Sequence, residues 1–314
     1  MKIEQIIQNV PQWTGQSFTV TPIYGGLTNE TYKVVVLGEA YVMRIGAKNA
    51  HLHGIQRSIE YQLMRAAAQV GITPEVIAIF PAEDVCISRF INGRVLTEQD
   101  MHQPETIKQI VQIMKGYHAL PVPAHPIPFF EIERSLTIVK DDPLISHEEI
   151  ADLQHLARLL KATLTPSQGT SVVCHNDLAP LNFIDNGQQL WLFDWEYAGA
   201  GDCFLDLANF SSHNDFDDAE NDLLLRTYFG EYTPAMWAKL KLMGTWSILR
   251  EALWGLLQRQ SVNPESDYAR LYLNRFRQAR QSPEFTQWLR VVRREVVCQD
   301  AALTGLPARF YPQN

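Results

Sequence analysis

Between residues 171 and 196 the chain carries two carboxylates and an amide at spacings that suit metal-assisted phosphoryl transfer. His175, Asp177 and Asn182 stand as H-x-D-x-x-x-x-N in the run SVVCHNDLAPLNFI, and Asp194 follows in LWLFDWE. Magnesium takes hard oxygen ligands, one or two carboxylates completed by phosphate oxygens and water. Asn182 and Asp194 can supply such oxygens from opposite arms of the hairpin that Asp185-Asn186-Gly187 would close. Asp177 is then left to face an acceptor hydroxyl, orient it and take its proton.

These residues need a scaffold, and the pattern around them supplies one. Phe18 to Tyr24, Thr31 to Val36 and Tyr41 to Ile45 alternate with β-branched residues and read as an antiparallel meander. A helix is expected from about Gln56 to Val70, ended by Gly71. Val76 to Phe80 and Val85 to Phe90 flank Pro81-Ala82-Glu83-Asp84 as a further hairpin. Ile107, Ile110, Val111 and Met114 mark one face of a helix. Pro121, Pro123, Pro126 and Pro128 then predict a surface loop, and Ser146 to Glu149 fits a capping box. From Glu220 onward the pattern is helical almost throughout. The expected fold is α+β and bilobal: a small antiparallel β-rich lobe over residues 1–91, and a larger, mainly α-helical lobe over 92–314.

Composition narrows the classes. Of the 314 residues 46% are hydrophobic and 20% charged, ordinary for a globular chain and long enough for two lobes. Lys and Arg number 27 against 35 Asp and Glu, a net charge of −8. Such a chain lacks the basic field that nucleic acid or an anionic membrane requires. No apolar run approaches a membrane span, and the N-terminus lacks a signal-peptide pattern, so a cytoplasmic monomer or homodimer is expected. The four cysteines form no Cys-x-x-Cys pair, which argues against a zinc ribbon or a dithiol.

Protein kinases use an Asp and an Asn at the spacing of Asp177 and Asn182, with a second Asp beyond a short hairpin. HNDLAPLN followed by LFDWEYAGAGDCFLDLAN is, more specifically, similar to the choline/ethanolamine kinase branch of the aminoglycoside phosphotransferase-like kinases. The resemblance spans roughly residues 20 to 280. It implies a protein-kinase-like fold, ATP as phosphoryl donor and magnesium as cofactor. It makes Asp177 the catalytic base and Asn182 and Asp194 the metal ligands. Glu196 becomes a further ligand or a substrate contact, while His175 and Asp206 support the catalytic loop.

On the nucleotide side, Gly25-Gly26-Leu27-Thr28-Asn29 resembles the family's phosphate-approaching loop. Arg44 stands where protein kinases carry a phosphate-binding Lys, with Glu60 as its expected ion-pair partner. Arg89-Phe90-Ile91-Asn92 would form the hinge whose backbone pairs with adenine.

On the acceptor side, Tyr197, Trp254 and Tyr268 match aromatic positions of the family's choline pocket, where ring faces can hold a cation. Glu251 stands where choline kinases place another Trp, and His213 where they have an acid. The expected partner is a small cationic alcohol, choline- or ethanolamine-like. Thiamine and aminoglycoside kinases share the same motifs, and a nucleotide-binding pseudokinase is the reading from outside the enzyme class. No activation-loop-like segment separates Asp194 from Asp206, which argues against a protein kinase. The acidic run from Asp215 to Asp222 reads as a solvated helix start.

Overall fold

A computed structural model of the chain describes residues 3–24, 29–47, 50–122, 132–164, 171–261 and 267–304. Contacts divide the chain into two compact units, Met1–Ile127 with Val172–Ala200, and Pro128–Ser171 with Gly201–Asn314. The architecture is mixed α+β, with a meander at one end of the sequence and helices at the other.

In the first unit, α1 (Ile3–Gln8) precedes β1 (Phe18–Ile23), β2 (Glu30–Val36) and β3 (Glu39–Ile45). Then come α2 (Arg57–Gln69), β4 (Val76–Phe80) and β5 (Val85–Arg89). The five strands form one antiparallel sheet in the order β1-β2-β3-β5-β4. Alternation explains the register. Val34 and Val36 on β2 and Tyr41 and Met43 on β3 point to one face, where Ile6, Ile7, Val10 and Trp13 close the core. Helix α2 buries Ile59, Leu63 and Ala67, a stripe at four-residue spacing, and Gly71 follows its end at φ +74°.

The same unit continues with β6 (Arg94–Val95), α3 (Glu98–Met101) and α4 (Pro104–His118), whose Ile107, Ile110, Val111 and Met114 are all fully buried. It ends with β7 (Val172–Cys174), β8 (Phe183–Asp185) and β9 (Leu190–Leu192). The expected lobe 1–91 lies whole within this unit, which also takes in residues 92–127 and 172–200. The reason is local: Leu192 N–H donates to the Ile72 carbonyl (3.0 Å) and Gln189 Nε2 to that of Gly71 (3.1 Å), tying β9 to the end of α2.

The second unit is helical: α5 (Ile132–Val139), α6 (His147–Leu164), α7 (Cys203–His213), α8 (Asp218–Phe229), α9 (Pro234–Ser261), α10 (Tyr268–Gln281) and α11 (Pro283–Thr304). Ser146 Oγ accepts from Glu149 N–H (3.1 Å), one half of the expected capping box. The Glu149 carboxylate goes instead to Arg277, at 2.7 Å from both Nε and Nη2, because a bidentate ion pair outcompetes a lone backbone donor. The acidic run behaves as a helix start, with Asp217 and Glu220 forming a capping box at α8. Pro123, Pro126 and Pro128 lie outside the described residues. Among the described residues, no helix is long and apolar enough to cross a membrane.

Candidate active site

Strand β7 delivers His175, Asn176 and Asp177 into a polar turn. His175 is fully buried, and its ring is fixed from both sides. Asp177 N–H donates to Nδ1 (3.3 Å), so Nε2 carries the proton it gives to the Phe193 carbonyl (2.8 Å). Trp195 meets the imidazole edge to face at 4.9 Å. His175 thus links the start of this turn to the residue before Asp194.

Asn182 ends one turn of 3-10 helix (Pro180–Asn182) and is buried. Its Nδ2 donates to the Asp177 backbone carbonyl and to Asp177 Oδ2, both at 2.9 Å. The amide is oriented by these bonds, which leaves its Oδ1 as the available oxygen. β8 and β9 then form the expected antiparallel hairpin, and Phe193 N–H returns to the Asn182 carbonyl (2.9 Å).

Asp194 follows in left-handed backbone, φ 58° and ψ 71°. Its Oδ1 is shut off from solvent and accepts no hydrogen bond, although the side chain as a whole is 34% exposed. The nearest cationic group is Arg44 Nη1 at 3.6 Å. Burial first, then the charges of Glu196 and Asp177, push this carboxyl up to about 7 against the pull of Arg44. A buried carboxylate oxygen that accepts no hydrogen bond and an oriented amide on the same hairpin are hard-oxygen donors of the kind magnesium takes.

The nucleotide-side residues assemble around two arginines. Arg44 on β3 is ion-paired with Glu60 on α2, which is 1% exposed. Its Nη1 also lies 3.4 Å from Glu196 Oε2. Arg57, in the first turn of α2 and not singled out from the sequence, contacts Glu60 Oε2 (2.7 Å) and Glu196 Oε2 (3.1 Å). Asn29 Nδ2 donates to the same Glu196 oxygen at 2.8 Å. Glu196, expected at metal or substrate, is therefore held by Asn29 and two arginines. The Arg57-x-x-Glu60 spacing on a helix was the one sequence signal that could have found Arg57.

The hinge residues are placed unequally. Arg89 sits on the surface, paired with Glu39 (3.2 Å) and Glu75 (3.1 Å). Its backbone N–H donates to the Glu75 carbonyl and that of Phe90 to the Ala40 carbonyl, so both are consumed by the sheet. Ile91 follows the last of these bonds, just beyond the end of β5. Gly25, Gly26 and Thr28 lie outside the described residues.

In the second unit Asp206 is fully buried in the first turn of α7, and Asp202 caps that helix through the Phe204 N–H (2.9 Å). Glu251 on α9 is buried and surrounded by donors. Arg250 pairs with Oε1, His213 Nε2 stands 3.2 Å from it, and Tyr268 O–H donates to Oε2 at 2.7 Å. Burial alone would raise this carboxyl, but the charges of Arg250 and His213 hold it well below the usual range. Burial and the Glu251 charge push the Tyr268 phenol up. Tyr268 meets Trp254 edge to face at 5.3 Å and lies against Tyr272 at 4.5 Å. Tyr197 belongs to the first unit, where its carbonyl accepts from Asn176 Nδ2 (2.9 Å).

Residues 20–223 match the family model for choline/ethanolamine kinase. The chain belongs to the choline/ethanolamine kinase family, a family of small-molecule kinases. Among curated proteins it is 24% identical to LicA of Haemophilus influenzae over 208 residues, which is 65% of this chain and 61% of that protein. The chain thus aligns with under two thirds of that relative's length. Among solved structures, a choline/ethanolamine kinase family protein from Mesorhizobium loti superposes with a TM-score of 0.75 at 27% identity, covering 92% of this chain and 97% of that one. A LicA structure in complex with AMP superposes at 0.71 with 19% identity, covering 92% and 98%, and that likeness carries the fold alone.

Proposed function

We propose that this member of the choline/ethanolamine kinase family moves the γ-phosphate of ATP to the hydroxyl of a small, positively charged alcohol. The observation that carries the reading is the bond from Asn182 to Asp177, together with a buried oxygen of Asp194 that accepts no hydrogen bond. With one oxygen of Asp177 engaged, the other is free to accept a hydrogen bond from the acceptor hydroxyl and take its proton. Asn182 Oδ1 and Asp194 would hold magnesium, which when bound neutralises charge on the phosphate oxygens. Arg44, steadied by Glu60, offers a guanidinium fork to phosphate. The AMP bound by the similar LicA supports nucleotide binding on this fold.

Aromatic surface for a cationic acceptor is offered by Trp254 and Tyr268, which meet edge to face. Ring faces attract a cation by about 0.5–2 kcal/mol each, depending on desolvation. The Glu251 carboxylate is committed to Arg250, His213 and Tyr268, so its part is to position Tyr268. A coupled assay of ADP release over choline, ethanolamine, thiamine and aminoglycosides tests the reading. We expect magnesium-dependent ADP release with a small amino alcohol as best acceptor; a neutral sugar or nucleoside as best acceptor would overturn the acceptor class.

A further inference from the structure

Four segments converge on the guanidinium of Arg57, and the contacts use four of its five N–H groups. Nε pairs with Asp84 in the turn between β4 and β5, at 2.9 Å from Oδ1 and 3.0 Å from Oδ2. Nη1 reaches Glu60 (2.7 Å) on its own helix and Glu196 (3.1 Å) just beyond Asp194. Nη2 donates to Asn29 Oδ1 at 3.2 Å, and Asn29 directly follows the Gly25–Thr28 run. Asp84 is itself fixed, since Tyr61 O–H donates to its Oδ1 at 2.7 Å. Space has been left for this pair. A methyl group at Gly46 would collide with the Asp84 carboxylate and stand 2.6 Å from Arg57 Nη2.

Charge explains why one arginine would not suffice. Glu60 and Glu196 are 1% and 3% exposed, and both reach toward Arg44. Without Arg57 two buried carboxylates would share a single guanidinium, and Arg44 would be drawn between them. With Arg57 present each carboxylate has a second cation. Burial disfavours the Arg57 charge, but Glu196 and Asp84 more than restore it.

We infer that Arg57 is a positioning residue of the nucleotide site: it ties the end of the glycine-containing segment to the turn that carries Asp194, and it keeps Arg44 directed at phosphate. The inference rests on the kinase reading and goes beyond it by assigning a role to Arg57, a residue outside the expected site. It acts on the triphosphate end of the nucleotide and leaves the adenosine end alone.

The test compares ATP with AMP on the full chain. Arg57→Gln should weaken magnesium-ATP binding about tenfold, equivalent to one arginine–phosphate alignment lost, and leave AMP affinity within about twofold. Arg57→Lys, which keeps the charge without the fork, should recover part of the loss. Gly46→Ala should reproduce the ATP-selective loss with Arg57 intact, and it provides a second route should Arg57→Gln fold poorly. Equal losses for AMP and ATP would reduce Arg57 to a structural residue and overturn the proposal, as would unchanged ATP affinity in Arg57→Gln. A wild-type chain that binds no magnesium-ATP would overturn the kinase reading itself, an outcome separate from either.

Discussion

The amide of Asn182 donates to Oδ2 of Asp177 at 2.9 Å, so the residue that would ligate metal also fixes the rotamer of the residue that would meet the acceptor. One side chain would then serve both halves of the proposed reaction. Asp177→Asn should lower kcat by about 100- to 10,000-fold, the range for a lost general base, and leave ATP binding intact. Single-turnover kinetics beside equilibrium nucleotide binding check this; a variant that keeps most of the wild-type rate places the base elsewhere.

Asp194 sets a pH dependence whose sign follows from its raised pKa. Its carboxyl sits at about 7 in the folded chain, above the ordinary value of about 3.9, so the folded state holds a proton that the unfolded state releases. That stabilising contribution is complete below about pH 4 and is lost as pH rises through about 7. Magnesium binding at about pH 6 should therefore expel a proton, and titration calorimetry in two buffers of different ionisation enthalpy should give different heats. Identical heats would show that Asp194 is already ionised there. Asp194→Asn should remove both the proton release and the magnesium dependence of nucleotide affinity.

Arg44 and Glu60 are expected to act along one path. Arg44→Ala should weaken ATP affinity, and Glu60→Ala should do so less, because Glu60 is paired with Arg44 and would act on the nucleotide only through it. Binding measurements on both single variants and the double variant form the cycle. The double variant should bind about as weakly as Arg44→Ala, and fully additive losses would contradict the shared path.

Glu251 and Trp254, three residues apart on α9, should separate stability from recognition. Glu251→Ala leaves Arg250 and His213 without their carboxylate and should cost about 3–5 kcal/mol, read from urea unfolding. Trp254→Ala should raise the acceptor KM about tenfold while the KM for ATP stays put, since about 0.5–2 kcal/mol of cation attraction goes with the ring. Equal rises in both KM values would make Trp254 a packing residue.

What the sequence disclosed was short-range. Strands β1 to β5 and helix α2 fell within a residue or two of their expected ends, because alternation and Gly71 are local signals. Asp177, Asn182 and Asp194 were legible for the same reason, all lying in one strand-turn-hairpin. Glu60 was found as the partner of Arg44 because a strand followed by a helix leaves few choices. The contacts that hold Glu196 were not legible in the sequence. Its partners Asn29, Arg44 and Arg57 lie 139 to 167 residues away in sequence, and no periodicity reports such contacts. The partners of Glu251 were hidden for the same reason, since Tyr268 and His213 approach it from other helices.

The most direct measurement is to follow the γ-phosphate. The chain, ATP labelled at that position, magnesium and an amino alcohol should yield one ADP and one phosphomonoester of the alcohol for each ATP consumed, and neither product should form without magnesium or with Asp177→Asn. Label recovered only as inorganic phosphate, or on the protein, with every amino alcohol unchanged, would contradict the account.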